Sequence, residues 1–185
     1  LAVIIILFLY VIAGFKVINQ YQRGVVLTLG RYTGIRQPGF RMIWPIFQKV
    51  ILVDVRSTPI DVPKQEVITR DNVTVNVDAV VYFRVIDSAK AVLETTNYTY
   101  ATSQFAQAAL RDVTGNFELD DLLSKREEIS LQIKNIVDSQ TDQWGIDVEN
   151  VKLQNIELPA DMKRAMAKQA EAERERRAAV INAEG

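Results

Sequence analysis

The feature that most constrains the fold is a period of two sustained from Val73 to Val85. Val73, Val75, Val77, Ala79, Val81, Phe83 and Val85 alternate there with Thr74, Asn76, Asp78, Val80, Tyr82 and Arg84. Successive side chains of an extended strand point to opposite faces, so this segment is a strand with one wholly apolar face. Such a face needs a second layer to cover it. The preceding stretch, Ile60 to Thr69, also reads as extended, and Arg70-Asp71-Asn72 between the two supplies turn chemistry. The expectation is an antiparallel sheet with one face on a core and one face in water. Asp71 and Asn72 read as turn formers rather than metal ligands.

The covering layer is expected downstream, where the period becomes helical. Ser88 to Leu93 fits a short helix and Tyr98 to Val113 a longer one that stops near Gly115. Glu118, Asp120 and Asp121 then place negative charge in the first turn of a further helix, where the helix dipole favours it. Leu119, Leu122, Leu123, Ile129, Ile133, Ile136 and Val137 recur at helical spacing, so this helix is expected to pack on the sheet and to end near Trp144-Gly145. Ile146 to Leu158 reads as a strand and Pro159 suits the first turn of a final helix. Upstream, Gly24 to Gly30 and Val50 to Val55 read as strands, with Gly34 and Pro38-Gly39 marking turns between them. The fold class is α+β.

An apolar loop follows Pro38-Gly39, containing Phe40, Met42, Ile43, Trp44, Pro45, Ile46 and Phe47. Loops are ordinarily polar because they face water. Two readings stay open: a loop folded back on its own core, or a membrane-interface element built from Pro38, Gly39, Phe40, Trp44, Pro45 and Phe47. From residue 16 to 56 the chain carries Lys16, Arg23, Arg31, Arg36, Arg41, Lys49 and Arg56 against Asp54 alone. A basic surface of this kind suits anionic lipid headgroups, and an ordinary solvated face is the alternative.

Both ends of the sequence look unlike the middle. Leu1 to Phe15 carries no charge, and Ile4, Ile5, Ile6, Leu7, Phe8, Leu9, Val11, Ile12 and Phe15 are the residues expected to anchor the chain as a single membrane span, a buried core helix being the alternative. As a helix the run covers only about 22 Å of a hydrocarbon layer about 30 Å thick, so further apolar residues are expected upstream. The positive charges follow the run, which argues against a secretory signal and favours a cytoplasmic body. At the other end, Met162 to Gly185 is rich in alanine, glutamate and arginine and poor in apolar surface. It reads as a solvated helix or a laterally packed coiled-coil segment, with Glu171, Glu173, Arg174, Arg176 and Arg177 expected to set register between neighbouring copies.

The composition excludes most chemistry. Cysteine and histidine are both absent, which removes disulfides, thiol catalysis, the commonest zinc ligands and the Ser-His and Cys-His arrangements. No phosphate-binding glycine loop occurs. Glu127-Glu128 and Asp120-Asp121 are neighbours on a helix and diverge, and Ser130 with Lys134, at i,i+4 spacing, reads as an ordinary surface pair. No basic stripe with interleaved aromatics points to nucleic acid. The expectation is a protein that is not an enzyme, with no cofactor and no metal.

An ordered series of motifs carries a resemblance that covers almost the whole chain. It comprises Tyr21-Gln22-Arg23-Gly24 with the following VVLTLGR, the PGF at Pro38 to Phe40 with Trp44-Pro45, and DVPKQEVITRDNVTVNVDAVVYFRV from Asp61 to Val85. It continues with ALRDVTG at Ala109 to Gly115, LDDLLSKREEI at Leu119 to Ile129, WGI at Trp144 to Ile146 and ELPADMKRAMAKQAEAERERRA from Glu157. In these the chain resembles the stomatin, prohibitin and flotillin family, known as the SPFH or band 7 family, and within it a prokaryotic stomatin-like protein, or slipin. The resemblance implies four parts: a membrane anchor at residues 1–18, a β-rich SPFH1 subdomain at 19–86, an α/β SPFH2 subdomain at 87–158, and the start of a long coiled-coil-type helix at 159–185. It also implies a homo-oligomeric ring or cage at a membrane that organises a lipid microdomain and confines or regulates membrane proteins. Membrane lipids and an FtsH-type protease, an NfeD-type protein or a channel are the partners it suggests.

Overall fold

The computed structural model describes all residues from 1 to 185. In chain order the elements are α1 (Ala2–Ala13), β1 (Phe15–Ile18), β2 (Gln22–Thr28), β3 (Arg31–Arg36), β4 (Gly39–Met42), β5 (Gln48–Asp54), β6 (Thr58–Ile68), β7 (Thr74–Val85), α2 (Ser88–Leu93), α3 (Tyr98–Gly115), α4 (Leu119–Ser124), α5 (Arg126–Thr141), β8 (Ile146–Glu157) and α6 (Ala160–Glu184), with one 3-10 turn at Asp142–Trp144. The strands form three antiparallel groups: β1-β4, β3-β2-β5 and β6-β7-β8.

The alternating segment is β7, the central strand of the largest sheet. Its partner β6 is reached through a turn in which Asn72 adopts a positive φ of 61°. Asp71 holds this turn, accepting from the Thr69 hydroxyl and from the backbone N–H of Leu119, so the hairpin and the start of α4 share one carboxylate. Val75, Val77, Ala79 and Val81 face Ala106, Leu110 and Val113 of α3 and Ile129, Ile133 and Val137 of α5 in a core of eighteen buried residues. Thr114 and Thr141 are buried near the ends of their helices, and each hydroxyl donates to the carbonyl four residues back.

A second, seven-residue core joins the N-terminal strands to this layer: Val25 and Val53 from β2 and β5 meet Ile60, Phe83, Val85, Ala91 and Ile146. Gly145 is required at the junction. It has φ 65°, and a Cβ there would lie 2.5 Å from the carbonyl oxygen of Asp87, while its own carbonyl accepts from the N–H groups of Ile86 and Asp87.

Several expectations are corrected. The helix read as running from about residue 119 to 144 is interrupted at Lys125, whose backbone leaves the helical region at φ −110° and ψ 38°. The segment after Pro38-Gly39 is not wholly loop: Gly39–Met42 is β4, paired with Phe15–Ile18. That pairing also ends the apolar helix. Twelve residues rise about 18 Å against a hydrocarbon layer of about 30 Å, and no helix of the chain is long and apolar enough to cross a membrane. The transmembrane helix expected within residues 1–18 is therefore withdrawn, and the cytoplasmic orientation derived from it loses its basis. The physical reason is local. Gly14 closes the helix against the Ile43 carbonyl, its own carbonyl accepts from the Ile43 N–H at 2.7 Å, and the chain turns directly into β1.

Candidate interaction surfaces

Two surfaces are assembled from elements that the rest of the chain does not cover. The first is the apolar end. No residue of α1 is fully buried. Ile4, Ile5, Ile6, Leu7, Phe8, Leu9 and Ile12 are exposed, Val11 is half-buried, and Phe15 is 40% exposed. The β1-β4 ribbon continues this surface, with the Phe15 and Phe40 rings stacked at 4.8 Å and Tyr10 lying 6.4 Å from Trp44. Beyond it, Trp44, Ile46 and Phe47 are exposed on the connection to β5. Gln48 gives this connection its shape by accepting from the Trp44 N–H and donating to the Thr28 hydroxyl, and the Phe47 carbonyl accepts from the Leu29 N–H at 2.8 Å.

The structure thus brings Phe40, Trp44 and Phe47 to the same end as α1. Gly39 and Pro45 are exposed there and Pro38 is half-buried. Ile43, read in the same apolar run, is instead buried and pins α1 through its contact with Gly14. Val17, 66% exposed, extends the surface and was absorbed into the apolar run at sequence level, because a four-residue strand abutting an apolar helix shows no period of its own.

The second surface is α6. None of its twenty-five residues is fully buried. Met162, beside Ile156 and Leu158, packs against the large core and fixes its first turn. Glu173 pairs with Arg176 at 3.2 Å and Arg177 at 3.5 Å. Glu171 and Arg174 make no ion pair within the chain.

Neither surface holds the groups of an active centre. No group of three or more carboxylates is placed to hold a metal ion, and the clear pKa departures have structural causes: the Thr69 hydroxyl lowers Asp71, Arg56 lowers Asp54, and burial raises Tyr98.

Comparison with known proteins decides the family. Residues 16–185 match the family described as SPFH domain / Band 7. The chain belongs to the SPFH domain, or Band 7, family. It is 50% identical over 182 residues to a stomatin homologue of Pyrococcus abyssi and 49% identical over 182 residues to one of Pyrococcus horikoshii, in both cases across 98% of this chain and 68% of the relative. Stomatin of Mus musculus is 44% identical over 172 residues, covering 92% of this chain and 61% of the mouse protein. This SPFH chain is a structural protein and not an enzyme, and its relatives include archaeal stomatin homologues, as the motif series implies. The expectation of a scaffold anchored by a span is corrected in its anchoring part, since the SPFH chain has no helix that could supply one.

Proposed function

We propose that the chain is a self-associating scaffold whose copies assemble side by side into a closed ring or cage. The observation that carries this reading is α6, a helix of twenty-five residues that, beyond Met162 in its first turn, is left uncovered by its own chain. A helix so poor in apolar surface is stabilised by propensity alone unless neighbours pack along it. Repeated contacts of one patch with a different patch on the next copy close into a ring when the rotation permits. In this reading Glu171, Glu173, Arg174, Arg176 and Arg177 set the register between adjacent helices, and the β-rich and α/β parts repeat around the ring as one unit.

The apolar end supports a lipid contact. Exposed aromatic side chains of Phe40, Trp44 and Phe47 lie with the largely aliphatic α1 in one surface, and Lys16, Arg41 and Lys49 are exposed on the adjoining strands. Contiguous apolar surface of this kind marks an interaction site, and a basic border suits an anionic headgroup layer. The end would rest in the boundary of a lipid layer without crossing it. An FtsH-type protease or an NfeD-type protein is the class of client for such a scaffold, to be sought by stoichiometric co-purification.

The test is particle mass and shape by mass photometry and single-particle electron microscopy. A closed particle of one repeated chain is expected, reduced to small species in the charge-reversed variant R174E/R177E. A wild-type monomer overturns the scaffold, and an unchanged particle in the variant overturns the role of α6. Flotation with vesicles is expected for the wild type and lost in F40S/W44S, and equal flotation of both removes the lipid contact.

A further inference from the structure

The outer edge of β8 is left open over a short, defined window. β8 is a terminal strand of its sheet, with β7 on one side only. At one end of the open edge the Val148 N–H donates to the Asp138 carboxylate at 3.0 Å. At the other, Arg126 donates to the carbonyls of Leu153 and Gln154 at 3.0 and 2.8 Å. Both closures come from α5, so one helix blocks the edge at its two ends and leaves Glu149 to Lys152 between them, a length of about 13 Å at strand rise.

A groove of about 510 Å³ lies along that window, between α5 and β8. Arg126, Lys134 and Lys152 bring three positive charges to its lining against Glu127, while Glu149 in the window is paired with Arg84 at 3.7 Å and Asp138 at its end is held by the Val148 N–H; Ser130 and Asn150 add neutral hydrogen-bonding groups. Leu131, also in its wall, is 55% exposed, as Ile136 of the same helix is at 42%, whereas Ile129, Ile133 and Val137 are buried. Unpaired strand edge, net positive charge and one exposed aliphatic contact are together the requirements of strand addition by an acidic peptide.

We infer that the α5–β8 groove is a docking site for an extended acidic peptide segment of another protein, added as a short strand at Glu149 to Lys152. Backbone pairing supplies the register, Lys134 and Lys152 read the peptide's carboxylates, and Leu131 receives an apolar side chain. The site is separate from both surfaces assigned to scaffolding, so its test stands whether or not the ring forms.

The experiment uses the intact chain and a fluorescent hexapeptide alternating glutamate and valine, with its lysine-for-glutamate counterpart as control, read by polarisation and by amide hydrogen exchange. Binding of the acidic peptide only, a loss of at least tenfold in K134E/K152E with unchanged circular dichroism, and slowed exchange confined to residues 149–152 are expected. Absence of binding, or equal binding by the variant, overturns the proposal. Displacement by inorganic phosphate without any change in exchange would overturn strand addition and leave an anion contact only. A fall in particle mass in K134E/K152E without added peptide would reassign the groove to a contact between copies of the chain.

Discussion

The two sheet regions of the molecule solve burial differently. The β6-β7-β8 sheet is covered by α3 and α5 and closes over eighteen buried residues drawn from its own strands and helices. The β3-β2-β5 sheet contributes only Val25 and Val53 to a seven-residue core whose remaining members come from β6, β7, α2 and β8. The first region carries its own hydrophobic layer, while the second borrows one and leaves its far end, with α1 and the β1-β4 ribbon, uncovered. Stability is thus concentrated in the β6-β7-β8 region and unsatisfied apolar surface at the N-terminal end. That division suits a subunit that must stay folded while its exposed end finds a partner.

The sharpest way to break this comparison is to remove volume from each region. Ile133→Ala empties the centre of the large core and is expected to cost about 3–4 kcal/mol, near the range for large-to-small core changes. Phe40→Ala, at a residue 67% exposed, should shift stability by less than about 0.5 kcal/mol. Urea denaturation of both variants checks this, and equal losses would show that the apolar end is covered in the folded chain.

Next in size is the junction. Gly145→Ala combines a left-handed backbone with a Cβ 2.5 Å from the Asp87 carbonyl oxygen and 2.6 Å from its Cβ, both part of the connection into α2. A loss of at least about 1–2 kcal/mol is expected from the backbone term alone. The seven-residue core includes Ala91 and Ile146 on either side of this contact, so a thermal melt should show the N-terminal sheet loosening with it. A variant as stable as the wild type would mean that the two regions are not tied through Gly145.

How far these features were legible in the sequence follows the same division. The alternation from Val73 to Val85 announced β7 because one face is buried throughout, and Ile129, Ile133 and Val137 announced α5 because its burial has the helical period. β1 and β4 were missed because they have four residues each and face no regular core, so no period of two developed. The length of the apolar helix was misjudged for a related reason: hydropathy continues through Phe15, Val17 and Ile18 after the backbone has already become a strand. At the exposed end, Phe40, Trp44 and Phe47 stand out because aromatic residues in a turn-rich segment are unusual, but from the residues alone a loop folded back on its own core and a membrane-interface element remain equally open. The β8 groove gave no sequence signal, because Arg126, Lys134 and Lys152 meet only through the packing of a helix on a strand.

A smaller effect is expected from acid. The Thr69 hydroxyl, with help from the Leu119 N–H, lowers the Asp71 pKa. A carboxylate whose pKa is lower folded than unfolded stabilises the fold above its unfolded value, near 4, and that contribution is lost as pH falls through the folded value. Asp71→Asn should therefore be less stable than the wild type at pH 7 and should lose less on going to pH 3. Asp54, lowered by Arg56, leaves a residual slope of the same sign in both proteins. Urea midpoints at the two pH values measure the difference, and parallel losses would show that Asp71 holds the hairpin without its charge.

The smallest effect belongs to α6. Glu173 pairs with both Arg176 and Arg177, but these side chains are largely exposed, and pairs three or four apart on a helix surface contribute about 0.2–0.5 kcal/mol. Glu173→Gln should accordingly leave the urea midpoint of the isolated chain almost unchanged, because the core that sets it lies under α3 and α5. If the same substitution lowers the salt concentration at which assembled particles dissociate, the charges of α6 act between copies rather than within one. A large loss of stability in the isolated chain would instead place α6 among the elements that hold the subunit together, and would remove the contrast between a self-sufficient sheet region and the uncovered elements flanking it.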